Sequence, residues 1–93
     1  MRDVYVRKPN ERERRLLEAC PVWEHEPAVW DAEYDERCET CLIIEGTAVV
    51  ICGDGESYAF TKGDLVTFRP GMTCVWKVLE PIRKWYIFDM DED

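Results

Sequence analysis

The sequence is poor in positive charge, has a single histidine and contains no long apolar run. Among its 93 residues, 12 are Lys or Arg and 20 are Asp or Glu, which gives a net charge of −8. Nucleic acids and anionic membrane surfaces bind clustered basic side chains, and the one basic cluster, residues 12–15, is interleaved with acids as on a solvated helix face. No stretch approaches the roughly 20 apolar residues that cross a bilayer. We therefore expect neither nucleic acid nor a membrane as a partner.

The chain also lacks the apolar N-terminal segment of a secretion signal. Its five cysteines are an odd number, and an odd count without such a signal is typical of free thiols in a reducing compartment. We therefore expect a cytoplasmic protein. Cys38 and Cys41 match the Cys-x-x-Cys spacing, but residues three apart point to opposite faces of a strand. No second such pair completes a zinc site, so neither a redox nor a zinc role is favoured.

The length and the turn residues predict one small all-β domain. A chain of this size fits a single domain, which we divide into an N-terminal strand and helix in residues 1–20, a barrel in residues 21–88 and an acidic tail in residues 89–93. Asn10 and Glu13 match a helix capping box, and Pro21 ends the helix. The short apolar runs that follow alternate with turns, which predicts an antiparallel sandwich or barrel. The expected strands are residues 4–6, 22–26, 29–34, 40–45, 47–52, 57–60, 65–68, 74–79 and 83–88, with Gly46 in a turn and residues 80–82 as a break.

Two segments of this region resemble the motifs of the cupin superfamily. Glu39 is followed after six residues by Gly46, as in the first cupin motif, and residues 63–71 carry the Gly-Asp and Pro-Gly pairs of the second, with the proline displaced by one position. Residues 21–24 and 74–84 are similar to the small single-domain Cupin_3 group, which includes the cupin domains of ureidoglycine aminohydrolases and the ethanolamine-utilisation cupin. The resemblance covers residues 21–88 and implies a small antiparallel jelly-roll β-barrel with a short peripheral N-terminal helix.

The resemblance also bears on a metal site. In metal-binding cupins, three histidines and one glutamate converge on a divalent transition metal such as Mn, Ni, Fe or Zn. Here Glu39 keeps the glutamate position and Cys74 stands at that of the last histidine, but the positions of the first two histidines hold no imidazole. His25, the only histidine, is either a replacement ligand beside Glu39 and Cys74 or a structural imidazole. Because two protein ligands hold a metal poorly, we expect no cofactor, and a divalent metal is the alternative.

Strand alternation predicts which side chains face the interior of the barrel. Glu39 and Cys41 share one face of a strand, and Cys74 and Trp76 share a face of another, so if Glu39 and Cys74 point inward the other two do too. A buried Glu39 needs partners, for which the candidates are Tyr34, Arg69, Lys84 and Tyr86. The residues expected to bind a ligand are Trp23, Tyr34, Cys41, Trp76, Lys84 and Tyr86. Whether Cys41 and Cys74 form a disulfide stays open, because their Cα atoms would have to lie within about 7 Å.

Two functions follow from this interior. The first is a small-molecule-binding cupin with a degenerate metal site, because an aromatic interior leaves room only for a small ligand. The second, implied by the resemblance to ureidoglycine aminohydrolases, is an enzyme on a small nitrogenous or carbonyl substrate that uses a metal, or Glu39 and Cys74 as catalytic residues. A domain that binds a partner protein through an exposed aromatic face is a third option. The outer faces are expected to carry Leu42, Ile44, Val66 and Phe68, which predicts a homodimer.

Overall fold

Seven antiparallel strands and one short helix make up the computed structural model, which describes residues 3–90. In chain order the elements are β1 (Val4–Arg7), α1 (Glu11–Glu18), β2 (Val22–His25), β3 (Ala28–Glu33), β4 (Glu39–Cys52), β5 (Ser57–Thr61), β6 (Leu65–Phe68) and β7 (Thr73–Phe88). The sheet follows the path β1-β6-β4-β7-β2, with β3 also on β7 and β5 also on β4. The prediction of an all-β antiparallel fold with a peripheral helix is confirmed. Residues 91–93 of the predicted acidic tail lie outside the described residues.

The helix forms where the capping signal predicts it. The Asn10 side chain accepts a hydrogen bond from the Glu13 backbone N–H at 2.8 Å, and the Glu13 carboxylate accepts one from the Asn10 N–H at 2.9 Å. These two bonds satisfy donors that a helix start otherwise leaves unpaired. Leu17 is fully buried and docks the helix on Leu42 and Leu65 of the sheet. Within residues 3–90, no helix has the length and the apolar character needed to cross a membrane.

Strands β4 and β7 are longer than the sequence predicts. β4 continues through Gly46 and β7 continues through Pro81, so the predicted turn at Gly46 and the predicted break at residues 80–82 are wrong. The pairing of the two strands shifts register between Ile43 and Ala48, and Gly46 has a φ of +93°. These are the marks of a β-bulge, which accepts a glycine with positive φ and, opposite it, a proline without an N–H.

The bulge changes which side of β4 faces the core. Before it, Cys41 and Ile43 are buried in the main core, whereas after it the buried positions are 48, 50 and 52. An extra residue in one strand shifts the alternation by one, which is why both halves of β4 can pack on the same core. β7 contributes Cys74, Trp76 and, beyond Pro81, Lys84 to that interior. The bulge therefore lets β4 line the interior of the barrel along its whole length.

Three of the four residues predicted to lie on the outer faces are buried instead, so they offer no surface for the predicted homodimer, which itself stays a prediction. Leu42 is covered by α1, and Val66 and Phe68 are fully buried in the main core. Only Ile44 is partly exposed. Strand β6 is buried on both faces, so its apolar residues do not alternate with polar ones and the sequence carries no signal for which face is outside.

Candidate functional site

A cavity of about 390 Å³ opens between β2, β3, β4 and β7. Its walls are largely aromatic, and its polar lining includes an ion pair between Lys84 and Glu39. The lining residues are Trp23, Trp30, Ala32, Glu33, Tyr34, Glu39, Trp76, Lys84, Tyr86 and Phe88. A larger depression of about 500 Å³ lies beside α1 and is lined by exposed charged side chains such as Lys8 and Glu11. We place the candidate site in the smaller cavity because it alone of these two contains a buried pair of ionisable groups.

That pair joins Lys84 to Glu39. The Lys84 Nζ donates to Glu39 Oε2 at 2.9 Å and to the Cys41 sulfur at 3.2 Å, and the Cys41 thiol donates to Glu39 Oε2 at 3.0 Å. The side chains of Lys84 and Glu39 are only 7% and 12% exposed. The Nζ also lies 4.8 Å from the ring centroid of Trp23 and 4.9 Å from that of Trp76, where the negative faces of the rings attract a cation. The sheet therefore holds an ammonium group between a carboxylate, a sulfur and two indoles.

The register of the strands brings these groups together. Cys41 lies opposite Tyr86, and Ile43 lies opposite Lys84 across the β4–β7 pair. Residues directly opposite each other in an antiparallel pair share a face, and residues two apart on one strand do too. The odd positions 39, 41 and 43 of β4 therefore face the same interior as positions 84 and 86 of β7.

The environment fixes the protonation of the buried groups. Burial lowers the pKa of Lys84, but Cys41 and the Glu39 carboxylate outweigh it and hold the pKa above its ordinary value. Burial raises the pKa of the Cys41 thiol to about 12, against the lowering effect of Lys84. Burial also raises the pKa of Tyr34, whose hydroxyl accepts a hydrogen bond from the Trp76 indole N–H at 3.0 Å. At neutral pH the site therefore presents an ammonium group, a neutral thiol and a neutral phenol.

Alkaline pH should destabilise the fold through Cys41. Its folded pKa of about 12 lies above the ordinary value of 9.0, so its contribution to the free energy of unfolding is complete below pH 9 and is lost as the pH rises toward 12. We expect the stability advantage of the wild type over Cys41→Ala, measured by urea unfolding, to shrink between pH 8 and about 10. Parallel stability curves for the two proteins over that range would contradict this account.

Two residues of the predicted site lie elsewhere. Cys74 is buried, but it lies opposite Ala32 and Cys52 and borders a separate depression near Cys52, so the prediction that its thiol shares a cavity with Glu39 is wrong. His25 is exposed, and its ring stacks on Trp23 and packs at a tilt against Trp30, with centroids 5.4 and 4.5 Å apart. His25 therefore supports the outer side of the aromatic wall. No disulfide joins Cys41 to Cys74 in this structure.

Most of the remaining predicted residues meet at the cavity. Lys84 is the hydrogen-bonded partner of Glu39. Cys41 contacts both, but it is fully buried and does not line the cavity, so the prediction that it binds the ligand is wrong. Arg69 is not among the lining residues either. The predicted ligand-binding residues that line the cavity are Trp23, Tyr34, Trp76, Lys84 and Tyr86. The sequence reasoning missed Trp30 and Phe88, although alternation could have found both: Trp30 shares its strand face with Ala32, and Phe88 shares its face with Tyr86.

These residues do not fit a divalent metal. In the part of the chain that the structure describes, no three His, Cys, Asp or Glu side chains are close enough to hold one. The Glu39 carboxylate and the Cys41 sulfur, which lie closest together, already share the Lys84 ammonium group. A second cation placed between them would be repelled by the first. The predicted set of Glu39, Cys74 and His25 is not assembled.

The comparisons with known proteins point to one family. A family model described as an EutQ-like cupin domain matches residues 13–86. The chain is 45% identical to a DUF861 family protein of Thermotoga maritima, over 90% of this chain and 97% of that one, with a TM-score of 0.83. It is 28% identical to a DUF861 family protein of Pseudomonas syringae pv. tomato, over 72% of this chain and 28% of that one, with a TM-score of 0.64. The Clostridium difficile EutQ protein shares its fold at 22% identity, over 91% of this chain and 66% of that one, with a TM-score of 0.66. A search of curated proteins finds no match.

Proposed function

The chain belongs to the EutQ-like cupin family, and we propose that it binds a small molecule in the aromatic cavity around Lys84 and Glu39. The family match and the similar solved structures confirm the predicted cupin fold. The fold itself hosts many functions, so the argument for binding rests on the cavity. The odd number of cysteines supports the cytoplasm as its compartment.

The buried Lys84–Glu39 pair is the observation that carries the proposal. Taking two charges out of water is costly, and a buried pair is not by itself a gain in stability. Placing the pair at the floor of an open, aromatic cavity gives a ligand both a large apolar contact area and a fixed polar group that orients it. The volume of about 390 Å³ suits a ligand of one or two rings.

Binding can be located with the indole N–H signals of the tryptophans. Three of the four, Trp23, Trp30 and Trp76, line the cavity, whereas Trp85 packs beneath α1. In ¹⁵N-labelled protein screened against a library of small aromatic fragments, we expect the bound fragments to shift the first three signals and to leave that of Trp85 in place. Lys84→Met should weaken those fragments about tenfold, the effect of losing one charged hydrogen bond. A library without a hit, or hits that shift only Trp85, would contradict the proposal.

An acid–base enzyme is the second candidate, and one observation favours it. Lys84, Glu39 and Cys41 lie within hydrogen-bond distance of one another at the cavity floor, an arrangement in which Glu39 can accept or deliver a proton. The resemblance to ureidoglycine aminohydrolases suggests a small nitrogenous or carbonyl substrate for such a reaction. Cys74 lies outside this cavity and has no part in it. If Glu39→Gln no longer turns over a small nitrogenous or carbonyl substrate but still binds the fragments, the result would favour an enzyme over a protein that only binds its ligand.

A further inference from the structure

The surroundings of the Lys84 ammonium group have the composition of a site for a cation. Two indole faces, of Trp23 and Trp76, lie 4.8 and 4.9 Å from the Nζ, and the Glu39 carboxylate accepts its hydrogen bond. Aromatic walls with a carboxylate are the usual receptor for ammonium ligands. Here the chain itself supplies the cation that such a receptor would take from solution.

We propose that Lys84 is a built-in cation that fills this receptor, and that the cavity consequently selects an uncharged ligand with a carbonyl-type oxygen and rejects cations. This inference rests on the proposed binding function and names the class of ligand. It also accounts for the poor fit to a divalent metal, because the ammonium group already occupies the space between the Glu39 carboxylate and the Cys41 sulfur.

The preference for an oxygen acceptor follows from the hydrogen bonds that are already made. An ammonium group has three donors, and the bonds to Glu39 and Cys41 use two of them. The Tyr34 hydroxyl accepts from Trp76 and keeps its own proton, since burial raises the pKa of this phenol. Lys84 and Tyr34 both line the cavity and both contact Trp76. The cavity therefore offers donors to a ligand that brings an acceptor.

The preference for an uncharged ligand follows from the balance of charge. Glu39 already neutralises Lys84, so an anionic ligand would add an unpaired charge to a largely buried site. Glu33 at the cavity wall and the net charge of −8 also oppose an anion. The same acidic groups attract a cationic ligand toward the cavity, but beside Glu39 it would meet the ammonium group of Lys84 directly and be repelled by it. A neutral acceptor avoids both the unpaired charge of an anion and the repulsion between a cation and Lys84.

Three probes with the same ring and different charge test the inference. Benzamide is neutral, benzoate is an anion and benzylammonium is a cation, and each can be titrated into ¹⁵N-labelled protein while the indole signals of Trp23 and Trp76 are followed. For the wild type we expect benzamide to bind at least tenfold more tightly than either charged probe. In Lys84→Ala, which empties the receptor, we expect the order to reverse in favour of benzylammonium, and in Lys84→Ala/Glu39→Gln we expect that gain to be lost.

Each outcome separates the inference from the function on which it rests. If the wild type binds benzylammonium as tightly as benzamide, the proposal that Lys84 acts as a built-in cation is wrong, while the proposed binding function still stands. Probes that shift none of the three cavity indoles in any variant would overturn both. Because the wild-type arm needs no mutation, a poorly folded Lys84→Ala protein does not weaken the test. Lys84→Met, which keeps the apolar stem, serves as the second variant and should lose the preference for benzamide.

Discussion

Gly46→Ala should lower the free energy of unfolding by about 3 kcal/mol, the sum of a backbone cost and a collision. Gly46 has a φ of +93°, a region that costs an ordinary residue about 1–2 kcal/mol. A Cβ at this position would also collide with the carbonyl oxygen of Pro81 and lie 2.8 Å from the Ile82 Cα. Both obstacles are backbone atoms of a paired strand, so neither can rotate away, and overpacking of this kind typically costs a further 1–3 kcal/mol, roughly.

Gly55→Ala is the matched control for this substitution. Gly55 has nearly the same φ, +89°, but nothing lies within 4 Å of its added Cβ. Gly55→Ala should therefore lower the free energy of unfolding only by the backbone cost, about 1–2 kcal/mol. Urea unfolding of the two variants against the wild type measures the difference. Equal losses would show that Gly46 is needed for its backbone angle alone and not for the close approach of β4 to β7.

Gly46 also shows where sequence reasoning stops. A glycine followed by β-branched residues predicts a turn equally well as a bulge, and only the partner strand decides between them. The partner here is the segment around Pro81, 35 residues away along the chain. By contrast, the capping box of Asn10 and Glu13 lies within four residues, and the helix was predicted correctly because its signal is local.

In the candidate site, too, features set within one strand could be predicted from the sequence, and features set by the pairing of strands could not. Alternation along a strand correctly placed Glu39 with Cys41, and Cys74 with Trp76, on shared faces. It gave no register with the partner strand: Cys74 lies opposite Cys52 of β4, whereas Lys84 lies opposite Ile43. This is why the sulfur beside Glu39 is that of Cys41, while Cys74 lies next to Cys52.

Glu39→Gln should destabilise the fold by about 3 kcal/mol at pH 7, because removing one partner of a buried pair leaves the other charge uncompensated. Glutamine keeps the shape of the side chain, so the loss reports the charge rather than the packing. Glu24→Gln is the matched control, since Glu24 pairs with Arg83 at 2.9 Å with both side chains about half exposed or more. Exposed ion pairs contribute little to stability, so Glu24→Gln should lower the free energy of unfolding by no more than about 1 kcal/mol.

A double variant separates the cost of the unpaired ammonium group from the value of the pair. Lys84→Met fills the same space with an apolar side chain, and replacing both members of a buried pair is often close to neutral. Glu39→Gln/Lys84→Met should therefore recover most of the stability that Glu39→Gln loses. A double variant as unstable as the sum of the two single variants would mean that Lys84 and Glu39 stabilise the fold independently.

The pH dependence of Glu39→Gln identifies Lys84 as the source of the loss. Burial lowers the pKa of Lys84, whereas Cys41 and Glu39 raise it. In Glu39→Gln only Cys41 remains to oppose burial, and its thiol is uncharged below its own raised pKa of about 12, so the folded-state pKa of Lys84 should fall below the ordinary value of 10.5. The folded variant then binds fewer protons than its unfolded chain, and its free energy of unfolding rises with pH. In the wild type the pKa of Lys84 is raised, so its contribution is complete below that ordinary value and is lost only at higher pH. We therefore expect the stability gap between Glu39→Gln and wild type, measured by urea unfolding, to narrow from pH 7 toward pH 10, and a constant gap would place the loss in packing instead.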